Sequence, residues 1–340
     1  MVLNCRRFDK VAVHNVASWH TARVMRMLML AGCAWVSAAQ AASFPNKPLR
    51  LVTGSAPGGG SDFVARALAE KLTERLGQPV LVDNRPGAAG AIGADVVAKA
   101  NPDGYTLLIN TGSAIAVNPA LQLQPYDVKR DFLPVMLVSR APFVLAVHPS
   151  LPAKNVAELI QLAKAQPKKL SYASSGIGAM SHLAMELFRS MGGLQVVHVP
   201  YRGSAPAVVD LIAGQVQLAM NNIVPTLPHV KSGRVRALGV SGLLRSHVLP
   251  DAPTMAEAGL PGYEALQWYG VLLPAKVSKT IAQQLHREIV EVLRIPQVRT
   301  RLTEEGGDVV GGTPGQFAAF IELETAKWSG VVKAAGVKAE

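Results

Sequence analysis

A triple glycine set between an alternating strand and an amphipathic helix is the feature that most narrows what this chain can fold into. Residues 49–76 read LRLVTGSAPGGGSDFVARALAEKLTERL. Leu49, Leu51 and Thr53 alternate with Arg50 and Val52, the period of a strand. Pro57, Gly58, Gly59 and Gly60 then form a turn with no side-chain bulk over its backbone. Ser61 or Asp62 is placed to cap a helix in which Val64, Leu68, Leu72 and Leu76 recur at spacing four on one face. Strand, bare loop and helix in this order present backbone N–H groups at the positive end of a helix dipole, a seat for an anion such as a carboxylate. The same residues equally serve a tight strand-to-helix turn, and the stretch by itself leaves both readings open.

The device recurs. Residues 170–174 predict a strand, Ser174-Ser175-Gly176-Ile177-Gly178 a second glycine turn, and residues 182–191 the helix it opens, about 120 positions after the first. One such turn in each of two α/β domains, facing across a cleft, would add two helix dipoles in favour of negative charge. Elsewhere strand-like segments fall at 79–82, 105–109, 135–139, 143–147, 195–199, 216–220, 235–240 and 270–273. A turn at 83–87 follows the first of these. Helical patterns fall at 88–99, 155–162 (capped by Asn155), 205–213, 280–293 and 316–328. Such alternation predicts an α/β chain with largely parallel sheets.

The motifs exclude several chemistries. Gly176-Ile177-Gly178-Ala179-Met180-Ser181 approaches a dinucleotide fingerprint, but Ser181 stands where a third Gly or Ala is required and no acidic residue follows at a suitable strand end. Residues 57–62 lack the Lys-Ser/Thr of a phosphate-binding loop, and no G-x-S-x-G elbow occurs. His182 and Glu186 share a helix face, but no third ligand is indicated, so neither a metal nor a cofactor is expected. His182 reads as a polar residue near the cleft or one satisfied in the core. Tyr201-Arg202-Gly203-Ser204 lies between a strand and a helix: Ser204 is a natural cap, and Arg202 either pairs a carboxylate bidentately or is a surface arginine. Asn221-Asn222 follows a strand ending at Met220 and serves either a polar ligand or a turn. Trp268 and Tyr269 precede the strand at 270.

The start of the chain reads as an export signal. Arg23 and Arg26 form its basic region, residues 27–36 its apolar core, and Ala39-Gln40-Ala41 a cleavage site. The run is too short to span a bilayer. Residues 1–22 read as an upstream extension, with Met25 or Met27 as the start, and Leu30-Ala31-Gly32-Cys33 gives lipidation of Cys33 as the second reading. Both cysteines, Cys5 and Cys33, lie in this leader, which excludes disulfides and thiolate sites from the exported part. The formal charge is +11, but the basic residues are neither clustered nor interleaved with aromatics. That pattern suits a solvated surface able to steer small anions and argues against a nucleic-acid partner.

In order along the chain stand FPNKPLRLV, APGGGSD, LVDNRPGAAGAIG, ANPDGYTLL, YASSGIGAMSHLAMELF, VPYRGSAPAVVDLIAGQV, PHVKSGRVRALGV, PTMAEAGLPGYE and WYGVLLPA. This series closely resembles the Bug-type periplasmic receptors of tripartite tricarboxylate transporters, from Phe44 to near Trp328. The resemblance implies an α/β fold of the two-domain type II periplasmic binding protein class, with a hinge and an interdomain ligand cleft. It implies no enzyme but a periplasmic receptor, working as a monomer, that passes a small carboxylate to a membrane permease. An exported enzyme acting on a small carboxylate is the alternative. Residues 42–141 and 269–340 would form domain 1 and residues 142–268 domain 2, after a leader at 1–41. Carried across, the ligand-binding positions are Ala56, Pro57, Gly58, Gly59, Ser61, Asp62, Ala88, Ala89, Thr111 and Ser113, with Ser174, Ser175, Gly176, Gly178, His182, Tyr201, Arg202 and Asn222 from the second domain. One departure stands out: family members often carry an acidic residue before the asparagine matching Asn222, where this chain has Asn221.

Overall fold

The computed structural model describes residues 44–304 and 306–338; the expected leader, its cleavage site and Cys33 lie outside them. Ten strands join in one sheet among these residues: β1 (Leu49–Thr53), β2 (Val80–Asn84), β3 (Thr106–Thr111), β4 (Phe132–Val147), β5 (Ser171–Ser174), β6 (Val197–Pro200), β7 (Leu218–Asn222), β8 (Arg236–Val240), β9 (Leu266–Pro274) and β10 (Asp308–Gly311). The path runs β2-β1-β3-β9-β4-β7-β5-β6, with β8 and β10 also paired to β4. The helices of eight residues or more are α1 (Gly60–Leu76), α2 (Ala91–Ala98), α3 (Val156–Ala165), α4 (Met180–Gly192), α5 (Ser204–Ile212), α6 (Ile223–Lys231), α7 (Lys279–Arg294), α8 (Pro296–Thr303) and α9 (Pro314–Ala335). No helix among the described residues is long and apolar enough to cross a membrane.

The sheet is mixed, which corrects the expectation of largely parallel pairing. Both flanks are parallel, β2-β1-β3 on one side and β7-β5-β6 on the other. Between them β9 and β4 run antiparallel to their neighbours. The segments expected as two strands at 135–139 and 143–147 are one strand of 16 residues. Its first half, through Pro142, pairs with β9 and β10, and its second half, from Phe143, with β7 and β8. Arg140-Ala141-Pro142 reads as a break in sequence, yet Arg140, Ala141 and Pro142 face Trp268, Gln267 and Leu266 across the ladder. Ser241 secures this change of partners: its Oγ accepts the Phe143 N–H at 2.7 Å and donates to the Ala265 carbonyl.

Helix α1 lays Val64, Leu68 and Leu72 against the β1 side of the sheet and stops at Gly77 with φ 64°, a left-handed angle that glycine adopts without strain. Asn155 caps α3, accepting the Glu158 N–H at 2.9 Å. The helix expected at 88–99 begins instead with a 3₁₀ turn in which Ala88 and Ala89 are left-handed, and only Ala91–Ala98 is α-helical. β7 runs on through Asn221 and Asn222, and β9 begins early enough to include Trp268 and Tyr269. β2 likewise extends through Asp83 and Asn84, into the expected turn. Helices α6 and α8 went unread in the sequence because Pro228 lies inside the first and Pro296 opens the second. Proline is a helix breaker in the interior but is well suited to the first turn.

The core beneath β9 is organised by two buried tryptophans. The indole N–H groups of Trp268 and Trp328 both donate to Glu324 Oε2, at 2.9 and 2.8 Å. Phe317 and Phe320 meet Trp268 edge-on. Gly270 leaves room for the Phe317 ring, which a Cβ would overlap. Gly270→Ala is therefore expected to cost about 1–3 kcal/mol through overpacking. Urea unfolding of the two proteins checks this, and an unchanged midpoint would refute the close contact.

Candidate functional site

The head of α1 is built differently from its sequence reading. Gly59 is the N-cap and offers no side chain, while Ser61 and Asp62 lie buried inside the first turn, so neither is the cap. Asp62 turns back onto the loop instead. Its carboxylate accepts the Gly58 N–H at 2.8 Å, Asn84 Nδ2 at 2.9 Å and Arg66 Nε at 3.0 Å. Burial pushes the Asp62 pKa up, but the hydrogen bonds from Arg66, Asn84 and the Gly58 N–H outweigh it and hold the group below its ordinary range. The loop thus already holds one anion, its own. The Gly59 N–H goes to the Ala56 carbonyl at 3.0 Å and the Asp62 N–H to Ser55 Oγ at 3.0 Å. The amides of Gly60 and Ser61, at the first two positions of α1, have no intrahelical acceptor. Gly60 must be glycine because a Cβ there would run into Tyr269 Oη. Ala56, Pro57 and Gly58 are exposed.

Two asparagines that the sequence reading passed over assemble the next segments. Asn110, buried at the end of β3, donates Nδ2 to the Gly90 carbonyl at 2.9 Å and packs so close to Gly54 and Gly90 that neither position admits a Cβ. Asn118 donates Nδ2 to the Ala88 carbonyl at 2.8 Å. Ala88 is exposed, Ala89 and Thr111 half-buried, and Ser113 buried. Ser113 Oγ accepts the Met180 N–H at 3.0 Å, so a residue expected at the ligand bonds the first amide of α4 from the segment that follows β3. A Cβ on Gly178 would press on Leu121 and Asn118, which brings the 111–118 segment against the second glycine turn. Asn110 directly follows the expected strand at 105–109, which was its one available signal; Asn118 had none.

The second turn also satisfies much of itself. The Ser175 N–H goes to Ser181 Oγ at 3.0 Å, the Gly176 N–H to Ser174 Oγ at 3.2 Å, and the Gly178 N–H to His182 Nδ1 at 3.3 Å. Of the two readings of His182, the structure supports the core one: it is buried and stacks on His198 with ring centroids 3.9 Å apart. His198 Nε2 lies 2.7 Å from Ser174 Oγ, and Tyr172 stacks on His198. Burial, then His198, then Arg189 push His182 down to about 3; burial and then Arg189 push His198 down to about 4. Both rings are neutral at pH 7, which leaves Nδ1 of His182 free to accept.

Ser204 is not the cap of α5; that position is Gly203. Ser204 Oγ donates to Asn222 Oδ1 at 3.1 Å, and Asn221 Nδ2 donates to the Ser204 carbonyl at 3.1 Å. Asn221 Oδ1 is buried without a partner. Tyr201 turns its hydroxyl to Asp210 at 2.7 Å; burial, that bond and the Asp210 charge push its pKa up to about 12. Its N–H reaches back to the Ser174 carbonyl at 3.0 Å, and Arg202 is exposed. One polar cluster therefore joins Ser174–Gly178, Tyr201–Ser204 and Asn221–Asn222. Through Ser113 and Asn118 it meets the 88–90 turn. Among the described residues no group of three or more His, Cys, Asp or Glu side chains could hold a metal ion.

The sequence model of the tripartite tricarboxylate transporter family receptors (TctC) matches residues 64–337. The chain belongs to this family. Protein BugT of Bordetella pertussis is 40% identical over 298 residues, 87% of this chain and 91% of that protein. The solved structure of R. palustris Rpa4515 with adipate superimposes with a TM-score of 0.81 at 37% identity, covering 87% of this chain and 99% of that one. MatC (Rpa3494) from Rhodopseudomonas palustris with bound malate gives 0.79 at 32% identity, with 85% and 100% covered. The receptor accordingly has the two-domain fold of the periplasmic solute-binding proteins, with its hinge and ligand cleft, and is a binding protein rather than an enzyme.

The neutral histidine pair gives the receptor a definite acid response. Unfolded, each imidazole takes up a proton below about pH 6.5; folded, it does so only near 3 or 4, so the unfolded chain binds more protons and stability falls as pH falls. The expected loss between pH 6.5 and 5 is about 1.5 kcal/mol per ring. Urea titrations at both pH values check it against a His182→Asn, His198→Gln variant, whose stability should fall less. Equal slopes in the two proteins would refute the neutral pair.

Proposed function

We propose that the receptor captures a small carboxylate outside the cytoplasm and delivers it to the membrane permease of a tripartite tricarboxylate-type transporter. The observation that carries this reading is the pair of helix heads, α1 and α4, each preceded by a glycine turn and each carrying first-turn amides without intrahelical acceptors. Adipate in Rpa4515 and malate in MatC support a carboxylate for this chain as well. The ligand would lie against Ser61, Ala88, Ala89, Thr111, Ser175, Gly176, Arg202 and Asn222, with Asp62, Ser113 and His182 holding the loops from behind.

Residues 42–141 with 269–340 would act as one lobe and residues 142–268 as the other. Ala141 pairs with Gln267 in the β4–β9 ladder, so the two crossings lie side by side, as a hinge requires. The mature receptor would begin after Ala41, reside in the periplasm and act as a monomer.

Thermal shift and calorimetry with adipate and malate test the reading. A ligand at 100 times its Kd should add about 2.7 kcal/mol of stability. Gly60→Ala, which sets a methyl against Tyr269 at the head of α1, should weaken binding by about tenfold or more. Arg202→Ala, at an exposed position, should change it by about threefold or less. The reverse ranking, with Arg202→Ala abolishing binding in a folded protein, would replace the backbone seat by an arginine anchor.

A further inference from the structure

Resting on the two lobes proposed above, we infer that α9 is a third connection between them, and that it bends at Ser329-Gly330 as the receptor opens and closes. Its head moves with the first lobe and its last turns with the second. The strands that cross at Ala141 and Gln267 are then only part of the hinge.

The head of α9 is fixed to the first lobe. Thr313 and Gln316 cap it reciprocally, the Phe317 ring fills the space over Gly270, and Glu322 accepts Lys129 Nζ at 2.8 Å. Its middle sits at the crossing. Glu324 Oε2 takes the indole N–H groups of Trp268 and Trp328, and Lys327 Nζ lies 3.8 Å from Glu264, just before Gln267 in the chain. Its end is held from the second lobe. Arg189 on α4 donates Nη2 to the Ala335 carbonyl at 3.3 Å, and buried Glu186 ion-pairs with the same guanidinium. A straight rod fixed to both lobes would oppose any change in the angle between them.

Gly330 falls between the Trp328 anchor and the Arg189 hold on Ala335. It is exposed in the interior of a 22-residue helix, and a Cβ there would meet nothing within 4 Å. Its backbone is not left-handed either, so neither close packing nor a turn requires glycine at this position. Glycine is, after proline, the residue least favoured inside a helix, and Gly/Ser pairs are among the few places where helices kink. The pair therefore softens α9 at the one stretch where its two attachments must move apart, as a hinge residue does.

Residues 42–340 contain no cysteine, so spin labels can be placed in pairs. Glu74→Cys on α1 reports the first lobe, Gln161→Cys on α3 the second, and Leu323→Cys and Lys333→Cys the two ends of α9; all four positions are exposed. On addition of malate or adipate, electron-spin distance measurements are expected to show the 74–161 and 74–333 distances shifting while 74–323 and 161–333 stay fixed. Gly330→Ala should reduce the 74–333 shift and Gly315→Ala, equally unhindered in the first turn of the same helix, should leave it. A shift of 161–333 with 74–333 unchanged would make α9 one rigid part of the first lobe and overturn the inference. Identical behaviour of the two alanine variants would overturn the role given to Gly330. Calorimetry on the labelled proteins reads binding separately. A receptor that binds either acid without moving 74–161 overturns the lobe division and the inference with it. One that binds neither overturns the carboxylate reading, and the spread of distances in the free receptor then decides: a 74–333 spread no wider than that of 74–323 overturns the bend.

Discussion

The antiparallel ladder between β4 and β9 is the constraint on which the rest of the structure depends. Along it β4 passes from one set of neighbours to another without leaving the sheet, exchanging β9 and β10 for β7 and β8 at Phe143. The ladder thereby sets two parallel flanks at a defined distance and register. Each flank sends the head of one helix, α1 or α4, out of the end of a strand beside a glycine turn. Trp268 and Tyr269 on β9 extend that control to the site: the indole of Trp268 underlies Gly112, and Tyr269 closes on Gly60.

A second theme is how little of the polar equipment at the loops is left over. Bare glycine turns suggest a row of open N–H groups, yet side chains from the same or adjoining segments occupy many of them. Asp62, Ser55, Ser181 and His182 each accept an amide of a glycine turn or of the residue beside it, and Ser113 accepts the first amide of α4. Internal acceptors hold the loops rigid, and rigidity lowers the entropic cost of binding. They also leave few amides at the helix heads without an acceptor inside the protein.

Histidine adds a condition to that arrangement. His182 can accept the Gly178 N–H only while Nδ1 carries no proton, and burial, with the stacked His198 ring, disfavours charge on it. The second turn is therefore coupled to two neutral rings, His182 buried on α4 and His198 half-buried on β6, that lie far apart in sequence.

Much of this was legible from the residues alone. Leu49, Leu51 and Thr53 followed by glycines and the Val64-Leu68-Leu72 face determine β1, its turn and α1, because strand and helix periods are local properties of the chain. The same holds for Asn155 as a cap. What tertiary structure decided was every outcome in which two distant segments compete for one partner. Arg140-Ala141-Pro142 stays in a strand because β9 lies beside it. Ala88 and Ala89 adopt left-handed angles in the turn whose carbonyls Asn110 and Asn118 bind. Ser61, Asp62 and Ser204 give up capping because Thr53, Asn84 and Asn222 offer them other bonds. Periodicity specifies which face of an element is buried; which hydrogen-bond partner a polar side chain finds depends on what the fold carries to within 3 Å of it, and no local pattern encodes that.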